Sequence, residues 1–425
     1  MDQNRRQRRD RLQNLLIVLL SISALGLFSI TQAKLLHWEL PSGAAALERG
    51  GESVSAGASR LQELDWAVTL VCGDGAGDRR YQQLSTADSA FTSVEGLWED
   101  ALRQAQSPQE IPYADLEAAL ALPSLYTAFP CPVPACILAA RLGLSSEEET
   151  AVQRLLLAAE GDAVYLLFQA EGRCYRCETA LSPGELTALT AQLGGAECLF
   201  AFEQEGESAL HPLTVLPVTL PQYRELTAAA PEEPVTEELL TFFGFSAHTT
   251  NRYTDAAGTE VIVESPRRLS VTATGQIRYL GSTSYAPESF CLSDAAAPTL
   301  SELVDGAYEL LLRLPAALSG EERLTLSYAE YDREEGVCTL RFSYMVGGLP
   351  LSFGDGSAAA EVSIVDGIVT KLSFLCRSYT TAESLSLLLP VAQASAIAEN
   401  YPGLEMALSY VDSGGAHAAA AWLMR

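Results

Sequence analysis

The chain has 425 residues, 48% of them hydrophobic, with 54 acidic against 27 basic residues and a net charge of −27. So much apolar content argues for a folded protein, and the length exceeds what one ordinary core requires. The acidic excess repels phosphate backbones and anionic lipid, which disfavours nucleic-acid binding and tight adsorption to lipid.

The N-terminus combines two opposite signals. Arg5, Arg6, Arg8, Arg9 and Arg11 come first, and residues 12–33 then carry no charge until Lys34. As a helix those residues span about 33 Å at ~1.5 Å per residue, enough for a hydrocarbon core of roughly 30 Å. By the positive-inside rule the arginines keep residues 1–11 cytoplasmic, and everything beyond Lys34 falls outside the cell membrane. The expectation is a single-pass type II anchor at residues 12–33. Ser23, Gly26, Ser29 and Ala33 lie within a third of its circumference, a face on which another membrane helix can approach closely. A cleaved signal peptide is the rival reading. It has a weak Thr31-x-Ala33 site, and its apolar region would exceed the usual ~7–15 residues.

Residues 34–60 are rich in Gly, Ala and Ser and read as a stalk. A first ectodomain, residues 61–230, should begin with a strand at 65–72. An amphipathic helix over 91–104 carries Val94, Leu97, Trp98 and Ala101. A strand at 125–129 and a short buried helix at 135–142 follow. Strands at 151–159, 163–170 and 173–180 are spaced as hairpins, with turns at Glu160-Gly161-Asp162 and Glu171-Gly172. Ser182-Pro183-Gly184-Glu185 is a capping box opening a helix that should run to Gly194.

Residues 227–234 read as the domain boundary. A β-meander at 235–290 is expected to hold strands at 251–255, 259–264, 267–273 and 276–280. In residues 291–425, Thr299-Leu300-Ser301-Glu302 is a second capping box, and its helix puts Leu303, Val304, Ala307, Leu310 and Leu311 on one stripe. Strands at 322–330, 337–346, 359–365 and 368–376 follow, with Asp366-Gly367 as a hairpin turn. A helix at 391–400 and strands at 404–411 and 416–423 repeat that order in shorter form. The fold class is therefore α+β, with antiparallel sheets packed with helices behind the anchor.

The search for chemistry finds little. His37, His211, His248 and His417 are isolated, and no HExxH, G-x-S-x-G or P-loop spacing occurs. Nine cysteines lie in a compartment that permits disulfides. In Cys174-Tyr175-Arg176-Cys177 the two thiols should point to opposite faces of a strand, which excludes a shared bond or metal without breaking it. Cys136 packs in a core, while Cys72, Cys198, Cys291, Cys338 and Cys376 read as buried thiols. Asp74 and Asp78 have no EF-hand spacing and read as a solvated loop. Tyr253, Tyr279, Tyr285 and Phe290 are the aromatics available to line a ligand pocket. No catalytic residue, cofactor site or metal site is expected.

The C-terminal half carries a resemblance. The segments FFGF, RYTDAAGTEVIVE and RRLSVTATGQIRYLG, then FSYMVGGLPLSF, VSIVDGIVTKLSF and AIAENYPGLEMALSYVDSGGAHAAAAW, resemble the YycH/YycI family over roughly residues 235–425. Those proteins are extracytoplasmic regulators of an essential two-component system in Gram-positive bacteria. Residues 60–230 are similar to the larger family member only in layout. The resemblance implies tandem PepSY-like units at 291–425, binding to a membrane sensor histidine kinase partly through the anchor, and a paralogous regulatory protein as a further partner. It implies no enzyme activity. The alternatives are an anchored binding protein for a cell-wall fragment or peptide, and a PepSY-type protease inhibitor.

Overall fold

The computed structural model describes residues 60–425, apart from 205–208, 232–234, 247, 249–250, 294, 296, 316–317 and 399. Arg5, Arg6, Arg8, Arg9, Arg11, Ser23, Gly26, Ser29 and Ala33 lie outside the described residues, as do the expected anchor and nearly all of the stalk. Among the described residues no helix is long and apolar enough to cross a membrane.

Two large sheets account for the strands. The first contains β1 (Ala67–Asp74), β2 (Arg79–Ser85), β3 (Gln106–Ile111), β4 (Pro123–Pro134), β5 (Ala151–Glu160), β6 (Ala163–Ala170), β7 (Arg173–Glu178), β8 (Ala196–Phe200) and β9 (Val215–Pro217). Their spatial order is β3-β7-β6-β5-β4-β1-β2-β8-β9. The second contains β10 (Arg224–Ala229), β11 (Arg252–Thr254), β12 (Glu260–Glu264), β13 (Arg267–Val271), β14 (Gln276–Leu280), β15 (Arg323–Asp332), β16 (Val337–Val346), β17 (Leu349–Phe353), β18 (Ala360–Val365), β19 (Ile368–Leu375), β20 (Ser378–Leu385), β21 (Met406–Asp412) and β22 (His417–Met424). Its order is β11-β12-β13-β14-β19-β18-β16-β17-β21-β22-β10-β20, with β15 on the other side of β16. The helices are α1 (Ser89–Gln104), α2 (Tyr113–Ala119), α3 (Ala135–Arg141), α4 (Pro183–Thr190), α5 (Glu237–Phe242), α6 (Leu300–Leu312) and α7 (Val391–Ala398). The fold is thus mixed and sheet-rich. Its strand pairs are antiparallel, save the parallel pair β17–β21.

Local sequence explains several elements directly. The side chain of Thr299 accepts from the Glu302 N–H while Glu302 reaches back to the Thr299 N–H, which fixes the start of α6. The apolar stripe of α6 is buried from Leu300 to Leu311. Asp366 and Gly367 both adopt positive φ, 50° and 77°, the primed turn that joins β18 to β19. In β5 the run LLLAA is apolar on both parities because both faces of the first sheet are covered. Leu155 and Leu157 enter the main core, while Leu156 and Ala158 enter a second one with Leu116, Tyr126 and Phe200. Cys174 and Cys177 follow the same rule, one thiol in each core.

The main core does not stop at the first sheet. It runs from Leu61, Trp98 and Leu155 through Leu303 and Leu311 to Phe342 and Tyr410 in the second. Polar contacts tie the sheets as well. The Leu61 N–H donates to Asp305 Oδ1 at 2.9 Å, and Gln83 Nε2 donates to the Gly348 carbonyl at 3.3 Å. Arg154 reaches Glu405 across the seam.

Several expectations need correction. Residues 227–229, the start of the expected domain boundary, form the end of β10, which lies between β22 and β20 and buries Leu226 and Ala228. Residues 232–234, the other part of that expected boundary, lie outside the described residues. Helix α4 ends at Thr190, short of Gly194. Cys291 is exposed. Tyr279 and Phe290 are buried. They pack with Phe242, Phe243 and Phe245 in an aromatic core, leaving Tyr253 and Tyr285 exposed.

Gly348 tests how the sheets dock. A Cβ there would stand 2.6 Å from Leu84 Cα on β2, whereas one at the adjacent Gly347 would meet open space. Both residues have positive φ, so either alanine substitution costs about 1–2 kcal/mol of backbone strain. Gly348→Ala should lose a further ~1–3 kcal/mol from the clash. Urea unfolding of the two variants side by side measures the difference, and equal losses would mean the sheets do not meet there.

Candidate functional site

The described residues contain several buried polar clusters, and most are saturated. Asp65 accepts from both hydroxyls of Ser85 and Thr86 and from the Ala87 N–H. Glu322 accepts from the Gly320 and Tyr379 N–H groups at 2.9 and 2.8 Å. Asp412 is paired with Arg377 and also accepts from the Tyr379 hydroxyl. Arg79 is held by Glu203 and donates to the Leu120 carbonyl. Each group has the partners its burial demands, so these clusters hold the fold together.

One cluster is different. Arg154 lies on β5 with only 5% of its surface exposed. The two-residue period of the strand puts it on the same face as Leu156 and Ala158, and the bulge between Val152 and Arg154 sends Val152 to the other. Its Nη1 donates to Gln169 Oε1 at 2.5 Å on the neighbouring β6. Its Nη2 donates to Glu405 Oε2 at 3.0 Å, just before β21 of the other sheet. Among the described residues its Nε and the hydroxyls of Tyr126 and Tyr113 make no well-formed hydrogen bond, although the guanidinium and the Tyr126 hydroxyl are close enough to interact. Both phenols lie within electrostatic reach of the guanidinium. Burial raises the pKa of each phenol, so both stay neutral and able to donate. Polar atoms so poorly satisfied around one buried charge are costly where a few apolar substitutions would remove the cost.

The cluster opens into a cavity of about 430 Å³ at the seam of the two sheets. Arg154, Gln169, Glu171, His211, Glu405 and Arg425 line it with their polar groups. The walls are fixed by backbone pairing. The His211 N–H donates to the Leu404 carbonyl at 2.8 Å, and the Gly403 N–H donates to the Ala209 carbonyl at 2.7 Å. Glu405 and Arg425 exchange backbone hydrogen bonds of 2.8 and 3.0 Å, closing the open end of the β21–β22 hairpin. The His211 ring stands edge-on to Tyr113 and accepts the Leu213 N–H at Nδ1, which places its proton on Nε2. Burial, and then the nearby Arg154 charge, lower the His211 pKa, with Glu405 opposing.

Among the described residues no cluster of His, Cys, Asp or Glu is arranged to hold a metal ion. Burial pushes the thiols of Cys72, Cys177, Cys198, Cys338 and Cys376 up to about 12, so at neutral pH they are not thiolates. Asp74 is engaged in its own turn, where its Oδ1 accepts from the Ala76 and Asp78 N–H groups. The arrangement at the seam is suited to holding a polar molecule.

Sequence reasoning missed this site. Arg154 was the available signal: a lone cation inside an apolar strand needs a buried partner. That partner, Glu405, is 251 residues away. His211 looked isolated because its neighbours also come from distant segments.

The His211 shift has a thermodynamic consequence. A depressed histidine pKa means the folded state holds the proton less tightly than the unfolded state. The stabilising contribution is complete above the unfolded value of about 6.5, and it is lost as pH falls from there through the folded value. His211→Gln should therefore flatten the loss of stability below about pH 6.5, seen as a shallower drop in Tm with acidification. An unchanged pH slope would mean that the imidazole is not desolvated. Compared with known proteins, the chain matches no family model, no curated protein and no solved structure.

Proposed function

We propose that the chain is a membrane-anchored extracytoplasmic regulator that binds and modulates a sensor histidine kinase of a two-component system. The observation that carries this reading is the N-terminal pattern, five arginines followed by 22 uncharged residues. That pattern places residues 1–11 in the cytoplasm and the large acidic body outside. The resemblance of residues 235–425 to the YycH/YycI family supports it. So does the recurrence of a helix leading into antiparallel strands, α6 before β15–β16 and α7 before β21–β22. We take these two units as PepSY-like. Contacts with the kinase come from the small-residue face of the anchor, Ser23, Gly26, Ser29 and Ala33, together with one surface of the body. A paralogous regulator is a further partner.

The seam cavity favours a second reading, an anchored protein that binds a cell-wall fragment or peptide. The two readings are compatible if occupancy of the cavity reports to the kinase.

Chemical crosslinking and affinity purification of the full chain from native membranes tests the first reading. A histidine kinase should be recovered with the intact chain and lost when residues 12–33 are replaced by an unrelated membrane helix. Equal recovery and equal kinase output from both versions would refute the contact through the anchor. Recovery of no kinase from either version would refute the regulator reading.

A further inference from the structure

We infer that the seam cavity binds a small zwitterion of the amino-acid or short-peptide class. The inference deepens the second reading, that of an anchored binding protein, and concerns the ligand class of the cavity described above. Its volume of about 430 Å³ falls within the roughly 300–1,000 Å³ of small-molecule pockets. Its polar lining is balanced in charge, with Arg154 and Arg425 against Glu171 and Glu405. The buried pair Arg154–Glu405 neutralises itself and fixes the floor.

The groups left over are one of each sign. Among the described residues neither the Arg425 guanidinium nor the Glu171 carboxylate forms a direct ion pair, although Arg425 lies within the fields of both Glu405 and Arg154. His211 adds a neutral Nε2–H donor, because its Nδ1 already accepts the Leu213 N–H. Gln169 Oε1 is taken by Arg154, which leaves its amide N–H groups to donate. A ligand carboxylate finds donors at Arg425, His211 and Gln169, and a ligand ammonium finds acceptors at Glu171 and the second oxygen of Glu405.

The field of the whole protein narrows the choice. At a net charge of −27 the surface repels a simple anion, and the cavity has no surplus of positive charge to overcome that. A simple cation would meet two guanidiniums. A molecule carrying both charges escapes both penalties.

Calorimetric titration of the full chain in detergent tests the assignment. The probes are L,L- and D,D-dialanine, which separate general peptide recognition from recognition of wall-type stereochemistry. N-acetyl-dialanine, dialaninamide and inorganic phosphate each lack part of the zwitterion. At least one dialanine should bind. Either capped form should bind at least tenfold more weakly. Arg425→Gln and Glu171→Gln, both at the rim, should each weaken dialanine at least tenfold without lowering Tm. Arg154→Met should abolish binding, but it also breaks the buried pair, so the rim variants decide the question. Phosphate binding as tightly as dialanine would overturn the zwitterion in favour of a plain anion site. Binding of the acetylated peptide alone, insensitive to Arg425→Gln, would move the site elsewhere and leave an anchored peptide binder. Failure of every probe at millimolar concentration would overturn the zwitterion assignment, and failure of wall-glycan fragments in the same titration would overturn the binding-protein reading as well. The kinase interaction would be untouched by any of these results.

Discussion

The structure depends on one apolar core shared by both sheets. Each sheet is large, and neither is closed on itself. The first sheet buries one face beneath α2 and the side chains of Phe202 and Leu213. Its other face is covered by α1, α3 and α4 and continues into α6 and β16 of the second half. Leu303, Val304, Leu310 and Leu311 of α6 contribute to the same cluster as Trp98, Leu155 and Ile137. Separating the halves would expose that contiguous surface at a cost of about 25 cal/mol per Å², so the two sheets stand or fall together.

The seam follows from that arrangement. Where two sheets are pressed together by a common core, their polar edges meet at the rim, and there the chain places Arg154, Glu405 and His211. A buried ion pair is weak evidence for stability, because desolvation consumes much of the Coulomb attraction. Its value lies in geometry. Arg154 sits on a bulged strand of one sheet, and Glu405 sits at the entry to a hairpin of the other. A cavity between them changes shape whenever the sheets shift, which makes it a place where occupancy can be felt by the whole body. The saturated clusters at Asp65, Glu322 and Asp412 have no such opening and serve packing alone.

Much of the fold was legible in local sequence, because it rests on local rules. The Thr299–Glu302 and Ser182–Glu185 capping boxes, the Asp366-Gly367 turn and the hairpins through 160–162 and 171–172 are each decided within a few residues. The opposed faces of Cys174 and Cys177 followed from the two-residue period of a strand. Elements that depend on distant partners were not legible. The polar strands β2 (RRYQQLS) and β20 (SYTTAESL) lack an apolar alternation to betray them. The end of β10 was read as part of a domain boundary because RELTAA carries little signal until β20 and β22 flank it. The four aromatics read as available for a pocket are split between core and surface. Which side of a strand finds a covering element is a tertiary fact. The cavity was illegible for the same reason, since its lining comes from six separated stretches of chain.

The proposed role, an anchored body that reports a binding event to a membrane partner, requires the body to respond as a unit, so cooperativity between the sheets is the property on which the account turns. Urea unfolding of the full chain, followed by fluorescence in Trp→Phe variants that keep only Trp98 or only Trp422, measures it directly. Trp98 belongs to the core beneath the first sheet, and Trp422 lies on β22 of the second. A shared core predicts coincident transitions with the same midpoint and slope. Two separated transitions would show halves that fold independently and would contradict the central claim.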